Sequence, residues 1–217
     1  MRSTFSANAS DAHAMSQAQS VKNEATPLVH RHFKIYKPYT CLSQFKPENR
    51  RTKMVLGDLT DFPAGTMAIG RLDKDSEGLL LLTTDGKVSE RVRSKSVEKE
   101  YWVQLDGDID AVAMAKLQNG VEIGVDGGKY LTLPCKAYKI EGEPDLPAPA
   151  RKPRDLRHGP LSWASITISE GKNRQIRKMT AAVGFPTLRL VRVRIGDIRI
   201  DAMQPGDVIE LEHAPHN

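Results

Sequence analysis

The densest group of reactive side chains lies between Gly70 and Gly78. The stretch reads Gly-Arg-Leu-Asp-Lys-Asp-Ser-Glu-Gly, and its carboxylates are those of Asp73, Asp75 and Glu77. An ionised carboxylate in a cleft can act as the nucleophile of covalent catalysis. A neighbouring arginine would keep it ionised by lowering its pKa. The same residues would also suit an exposed acidic turn between two strands, so the stretch alone leaves both interpretations open.

Calcium binding is a further alternative for this stretch. Its three acidic residues and Gly78 fall at positions 1, 3, 5 and 6 of an EF-hand loop. Position 12, where that loop requires a bidentate glutamate, is Thr84. The flanking residues also have the pattern of strands, not of helices. We therefore expect no calcium here, and the sequence indicates no other metal site.

A second reactive stretch, Glu170 to Met179, is basic. If it forms a helix, four residues at spacings of three and four share one face and predict core packing. These residues are Ile176, Met179, Thr180 and Val183. Arg174, Arg177 and Lys178 then project from the other side. A cationic face near a helix start suits phosphate or a buried carboxylate, although it could also simply face solvent.

Positive charge is concentrated in the C-terminal third of the chain. The whole sequence has 32 Lys and Arg against 27 Asp and Glu, a net charge of +5. Residues 151–194 hold eleven basic and two acidic side chains, hence +9, which leaves −4 for the rest. Such a surface predicts a polyanionic partner, nucleic acid first among the candidates. The proline-rich loop 142–160 contributes four of these cations: Arg151, Lys152, Arg154 and Arg157.

The elements that position these residues are mostly strands. Apolar runs and alternation predict strands at 32–36, 66–69, 79–83, 101–105, 131–140, 163–169, 188–194 and 206–211. The strand at 188–194 alternates apolar residues with arginine, which predicts one basic face. Short helices are predicted over 86–92, from an Asp108 cap to Gln118, and from an Asn173 cap through Val183. Strands that follow one another without a helix predict an α+β fold with a mainly antiparallel mixed sheet.

Four ordered segments resemble motifs of the pseudouridine synthase family, in its ribosomal small- and large-subunit branch. The signature of the catalytic aspartate is resembled by Gly70-Arg71-Leu72-Asp73, with Ser76, Gly78-Leu79-Leu80 and Asp85-Gly86 following. Lys37-Pro38 resembles the family's first motif, and Lys99-Glu100-Tyr101 resembles the strand that carries its tyrosine. Asn173 to Met179, with Gly184, resembles its last basic motif. The resemblance covers residues 32 to 211 in the family's order. It implies the pseudouridine synthase catalytic fold, with helices flanking a central cleft.

The resemblance also implies roles for individual residues. Asp73 would be the nucleophile, with Arg177 as its ionic partner and Arg174, on the same helix face, as the competitor for that position. Tyr101 would stack on the target base and could also move the C5 proton. Arg71 would hold the flipped nucleotide, with Arg174 and Lys178 also on the substrate side. Leu188 would form an apolar wall of the pocket, while Lys37 and Pro38 are expected to be structural.

The reaction implied by the resemblance is an isomerisation of uridine in large-subunit ribosomal RNA. The N1–C1′ bond of uridine breaks and C1′ joins C5 of the same base, so we expect no cofactor and no metal. Whether Asp73 attacks C1′, attacks C6 or removes a ribose proton stays open. A non-catalytic protein that binds ribosomal RNA or assists ribosome assembly is the alternative. A glycosidase would need two opposed carboxylates, which the close spacing of Asp73 and Asp75 does not guarantee.

The organisation of the chain completes these expectations. Residues 1–30 lack apolar periodicity and predict a disordered tail, followed by a catalytic domain over 31–213. With the catalytic aspartate at position 73, we expect no S4 RNA-binding domain. The two cysteines lie far apart and fit a reducing compartment. No apolar run approaches membrane-spanning length. We therefore expect a cytoplasmic monomer with no membrane association.

Overall fold

The computed structural model describes residues 29–47, 54–94, 96–151, 155, 157 and 159–215. The predicted tail therefore falls almost wholly outside the described residues. The strands are β1 His32–Lys37, β2 Met67–Ala68, β3 Glu77–Thr83, β4 Lys99–Asp106, β5 Glu122–Val125, β6 Gly128–Leu131, β7 Lys136–Ile140, β8 Leu161–Ile168, β9 Thr187–Ile195, β10 Ile198–Arg199 and β11 Val208–Leu211. The helices are α1 Gly86–Arg93, α2 Ala111–Asn119 and α3 Gln175–Ala182, and a 3₁₀ turn spans Leu56–Asp58. In the described part of the chain no helix has the length and apolarity needed to cross a membrane.

One nine-stranded sheet organises the molecule. Its order is β11-β1-β3-β9-β4-β8-β7, with β2 paired to β3 and β10 to β9. Strands β3 and β9 pair in parallel, and the other pairs between named strands are antiparallel. The predicted α+β fold with a mainly antiparallel mixed sheet is confirmed. This order places β3, β9 and β4 side by side, so residues from three distant parts of the sequence meet on one sheet.

Strand β3 lies between two apolar layers. All seven of its residues are buried, as a continuous run of leucines predicts. Leu79 and Leu81 pack in one core cluster with Val191, while Leu80 and Leu82 pack in another. Gly78 permits the close parallel approach of β9, because a Cβ there would lie 2.4 Å from a backbone oxygen of β9. Its φ of +98° is likewise one that glycine adopts without strain.

The helix starts differ from two of the sequence predictions. The side chain of Asp110, not Asp108, caps α2 by accepting a hydrogen bond from the Ala113 amide at 2.7 Å. Asp108 lies two residues earlier and forms an ion pair with Lys139 instead. Helix α3 begins after Arg174, which has a left-handed backbone and no side-chain cap, so the predicted Asn173 cap is wrong. The predicted apolar face of α3 is confirmed at Ile176, Met179 and Thr180, which are buried, while Val183 is partly buried against the same core.

The single strand predicted at 131–140 is wrong. Its first residue ends β6, and its second half forms β7. Pro134 lies between them, where the missing backbone N–H disfavours a continuous strand. Strand β6 pairs instead with β5 in a separate hairpin across Asp126 and Gly127, both at positive φ. An Asp-Gly pair is a typical two-residue hairpin turn, so this signal was present in the sequence and was missed.

Candidate active site

A cleft of about 790 Å³ lies between the loop that precedes β3, the start of α3 and one face of β4 and β9. Four of the predicted site residues line it: Arg71, Asp73, Tyr101 and Arg174. Arg177, Lys178 and Leu188 do not line the cleft, nor do Arg151 and Arg157, which are exposed. Lys152 and Arg154 lie outside the described residues. The structure therefore separates the predicted residues into a cleft group and a group around it.

The loop that carries Asp73 is fixed on both sides of that residue. The hydroxyl of Ser43 accepts a hydrogen bond from the Leu72 amide at 3.0 Å and donates one to the Leu72 carbonyl at 2.7 Å. The Thr40 amide donates to the Lys74 carbonyl at 2.8 Å. Within the loop, the Ser76 amide donates to the Asp73 carbonyl at 3.1 Å. Such contacts preorganise a carboxylate for reaction.

Lys37 stabilises the turn that contacts the Asp73 loop. Its side chain is fully buried, and its amino group donates to the carbonyls of Pro38 and Cys41 at 3.0 and 2.7 Å. These contacts shape the turn that contains Thr40, and thereby the hydrogen bond from Thr40 to the Asp73 loop. Burial lowers the pKa of Lys37 to about 8. The position fits the structural role expected for this residue.

Arg174 is the arginine that approaches Asp73. Its guanidinium donates to both carboxylate oxygens of Asp75, each at 2.8 Å, and its Nη1 lies 3.5 Å from Oδ2 of Asp73. The hydrogen bonds from Arg174 lower the pKa of Asp75. Both carboxylates therefore face an arginine, and the flanking elements β2 and β3 are strands, not the helices of an EF-hand. Among the described residues no group of three His, Cys, Asp or Glu side chains could hold a metal.

The direct contacts of Arg177 are to Asp75, whereas its expected ion pair is with Asp73. Arg177 is largely buried and donates from Nη2 to the backbone carbonyl of Asp75 at 2.6 Å. Its Nε lies 3.5 Å from a carboxylate oxygen of Asp75. It thus fixes the backbone of the loop, whereas Arg174 contacts the acidic side chains. Because the helix predicted from the sequence carries both arginines on one face, the sequence could not show which one would approach Asp73.

Tyr101 extends from β4 into the cleft. It lies directly opposite Arg192 of β9 in the sheet register, and the guanidinium carbon of Arg192 is 5.9 Å from the centre of its ring. Tyr101 is partly buried, and an aromatic ring that lines a cleft can stack on a pyrimidine. The apolar wall beside it is formed by Ile168, Ile176 and Leu190. The predicted wall residue, Leu188, is thus replaced by the leucine two residues further along the same strand.

The single basic face predicted for β9 is wrong, because its three arginines go to different places. Arg189 forms a buried ion pair with Glu77 at 3.0 Å. Arg194 pairs with Glu98 and Glu100, and Arg192 lines the cleft. Three of the eleven cations in 151–194 therefore pair with glutamates or line the cleft and do not form one basic surface. Sequence reasoning gave no role to Arg192 or to Lys99, two further cations that line the cleft. Lys99 stands in the motif of the tyrosine strand, two residues before Tyr101 and on the same strand face.

The cleft beside the mixed sheet thus holds a carboxylate, an arginine and a tyrosine. Comparison with known proteins leads to the same family as the motifs. The family described as RNA pseudouridylate synthase matches residues 31–182, and the chain belongs to this family. Ribosomal large subunit pseudouridine synthase E from Xanthomonas axonopodis pv. citri is 44% identical over 176 residues, which are 78% of this chain and 87% of that protein.

A second relative and a solved structure support the same family. The protein of the same description from Vibrio vulnificus is 44% identical over 181 residues, which are 81% of this chain and 72% of that protein. A structure described as a crystal structure of pseudouridylate synthase superposes with a TM-score of 0.67 at 28% identity, covering 84% of this chain and 70% of that one. The resemblance drawn from the motifs is therefore confirmed, and the chain is an isomerase that acts on RNA.

Proposed function

We propose that this chain converts a uridine of large-subunit ribosomal RNA to pseudouridine, with Asp73 as the nucleophile. The observation that carries the proposal is the cleft itself, in which Asp73 and Tyr101 face the same space and Arg174 lies 3.5 Å from Asp73. The relatives named above are described as acting on the large ribosomal subunit, which supports this RNA as the substrate.

In this proposal each side chain near the cleft has a defined task. Asp73 reacts with the ribose of an extruded uridine while the base stacks on Tyr101. Arg174 favours the ionised carboxylate electrostatically, and Arg177 positions the loop through the Asp75 carbonyl. Arg71, exposed at the cleft, holds the flipped nucleotide. Extruding a base costs a few kcal/mol, and contacts from basic residues to phosphates offset it.

The basic residues outside the cleft would supply those phosphate contacts. In the proposal they bind the RNA backbone around the target uridine. They are Lys178 together with Arg151, Lys152, Arg154 and Arg157 of the 142–160 loop. The exposure of Arg151 and Arg157 supports this role.

We further propose that the catalytic domain spans 31–213 and acts in the cytoplasm as a monomer. One sheet contains both β1 and β11, which lie near the two ends of that range. Asp73, Tyr101 and Arg174, which line the cleft, all fall within that range. Light scattering on the purified protein would test the monomer, since a stable dimer would double the measured mass.

The experiment that tests the function uses ribosomal RNA from a strain that lacks this protein. Purified protein is added, and pseudouridine is detected as a primer-extension stop after carbodiimide treatment. We expect one new stop in large-subunit RNA that is absent without enzyme. If the protein binds the RNA but produces no stop, the proposal fails and a non-catalytic role in binding or ribosome assembly takes its place.

A further inference from the structure

Two cations to which neither the sequence analysis nor the relatives' descriptions give a role line the cleft beside Tyr101. Arg192 lies opposite Tyr101 in the sheet register, and Lys99 lies two residues before Tyr101 on the same strand. Alternate residues of a strand face the same side. Tyr101, Lys99 and Arg192 all line the cleft that holds Asp73. A base stacked on the tyrosine ring would therefore lie beside both cations.

Neither cation has a carboxylate partner among the described residues, which distinguishes Arg192 from the two other arginines of β9. Arg189 and Arg194 each pair with glutamates. Arg192 is only 5% exposed, its Nε donates to the Leu79 carbonyl at 2.8 Å, and its Nη2 is buried without a partner in the described part of the chain. The amino group of Lys99 donates to the Ser94 carbonyl at 3.2 Å.

Keeping two such cations close together in a partly closed cleft is unfavourable unless an anionic group joins them. Burial and the nearby charge of Arg192 lower the pKa of Lys99 to about 8, which agrees with the lack of a carboxylate partner for Lys99 among the described residues. A phosphate is the usual anion for arginine and lysine. However, Arg192 lies at the buried wall beside the ring that receives the base, whereas the other arginines of the cleft, Arg71, Arg93 and Arg174, are exposed.

We propose that Arg192 and Lys99 bind the carbonyl oxygens of the target uracil and stabilise the negative charge that the base acquires during the reaction. This inference rests on the proposed function, since it requires a uridine held between Asp73 and Tyr101. It makes both residues catalytic, because they contact the base that leaves and rejoins the ribose. Preorganised cations aimed at developing charge are among the largest contributions to catalysis.

The chemistry of the step requires such a group. When the N1–C1′ bond breaks, its electron pair goes to the base, which becomes a monoanion with charge shared by N1, O2 and O4. This holds whether Asp73 bonds to C1′ or removes a ribose proton. The electron pair of the base then forms the new C5–C1′ bond. The proton at C5 is lost and N1 gains a proton, so the atoms and charge of uridine are conserved in pseudouridine.

The test separates chemistry from RNA binding. Arg192→Gln, Lys99→Met and Lys99→Arg are compared with wild type and with Lys116→Met, which removes an exposed cation of α2 outside the cleft. The single-turnover rate constant is measured at saturating enzyme, and Kd for ribosomal RNA is measured separately. We expect Arg192→Gln to lower the rate constant about 100-fold and Lys99→Met about tenfold or more. Lys99→Arg, which retains the charge, keeps most of the activity.

The expected change in Kd is less than about threefold, because the contacts strengthen only as the charge develops. Unchanged rate constants with raised Kd values for Arg192→Gln and Lys99→Met would overturn the inference and assign both cations to the RNA backbone. If Arg192→Gln unfolds, as its melting curve would show, Lys99→Met at its less buried position decides the matter alone. If wild-type protein forms no pseudouridine, the proposed function falls together with this inference. A wild-type rate in both variants overturns only the inference.

Discussion

At the scale of single residues, the same side chain acquires different tasks from its surroundings. Arg174 and Arg177 lie three residues apart at the start of α3, yet the first contacts the carboxylates of Asp73 and Asp75 and the second is held against a backbone carbonyl. Burial of Arg177 lowers its pKa, which reflects how far it is withdrawn from solvent. We therefore expect its contribution to catalysis to be indirect, through the position of the loop.

Replacing Arg177 tests this division of tasks. Arg177→Met leaves the Asp75 carbonyl without its donor, so we expect the free energy of unfolding to fall by about 1–3 kcal/mol. The turnover number should fall at least about tenfold, because small displacements of a reacting group are costly. Urea unfolding and steady-state kinetics measure both effects, with Lys116→Met as the control. Unchanged turnover would contradict a positioning role for Arg177.

The buried amino group of Lys37 predicts a pH dependence of stability. Its pKa is lowered from 10.5 to about 8 in the folded protein, so between these values the unfolded chain binds more protons than the folded one. The free energy of unfolding therefore rises with pH across this window. Relative to Lys37→Met, which has no titrating group there, wild type should gain about 3 kcal/mol between pH 7.5 and 10.5. Urea unfolding of both proteins measures the difference between their free energies of unfolding. A difference that does not change with pH would contradict a lowered pKa of the buried Lys37 amino group.

A site residue could be predicted from the sequence where a local motif determines its position, and could not where the pairing of distant strands does. Asp73, Tyr101 and Arg71 were placed in one cleft because they lie in motifs with a definite order. Leu190 took the place of Leu188 because strand position alone does not show where a wall meets a pocket. Arg192 could not be found, because its role depends on the register of β9 against β4, which no local pattern encodes.

At the scale of elements, β9 organises the centre of the sheet through its buried charges. Arg189 donates two hydrogen bonds of 3.0 Å to Glu77, at the start of β3, and a third of 2.9 Å to the Pro147 carbonyl. Glu77 and Arg189 are both buried. The pair therefore links the strand that follows the Asp73 loop with β9 and with the 142–160 loop.

Breaking this pair from one side should be more harmful than removing it entirely. Arg189→Met leaves the Glu77 carboxylate buried and unpaired, with an expected loss of about 3–5 kcal/mol in the free energy of unfolding. The double variant Glu77→Leu/Arg189→Met removes both charges and should recover at least half of that loss. Chemical denaturation of the two single variants and the double variant measures the coupling. Additive losses would contradict a direct, buried interaction.

The elements themselves were predictable to different degrees. The buried run of β3 and the helix after Asp85 were found because apolar sequence and a turn residue coincide there. The cap of α2 was placed two residues early because Asp108 and Asp110 are equally good capping residues by type. Only Asp110 reaches the Ala113 amide. The Ile109 amide, one residue earlier, donates to the hydroxyl of Ser162, a tertiary contact that the local sequence does not show.

At the scale of the whole molecule, charge is distributed less simply than the sequence suggests. The excess of +9 in 151–194 includes three arginines of β9 that serve the sheet and the cleft. The cations left for a long RNA are those of the 142–160 loop and the exposed side of α3. Counting charges along the chain located the right region but could not separate internal ion pairs from surface.

The loop cations should govern RNA affinity more than catalysis. Reversing Arg151, Lys152, Arg154 and Arg157 to glutamate should weaken binding and reduce the slope of log Kd against log salt by about four. Maximal turnover should change much less, because the exposed Arg151 and Arg157 lie outside the cleft lining. Reversal of Lys87 and Lys116, two exposed lysines elsewhere, is the control. Wild-type affinity of the loop variant across a salt series would refute the proposed contact.

The central claim is that Asp73 in this cleft makes the molecule a ribosomal RNA pseudouridine synthase. The most direct measurement compares wild type with Asp73→Asn in single-turnover conversion of large-subunit RNA, with Kd and melting temperature recorded for both. The amide keeps the shape of the side chain and removes the nucleophile. We predict a loss of at least about 1,000-fold in the rate constant, with folding and RNA binding nearly unchanged. Substantial pseudouridine formation by a pure Asp73→Asn protein would contradict the account.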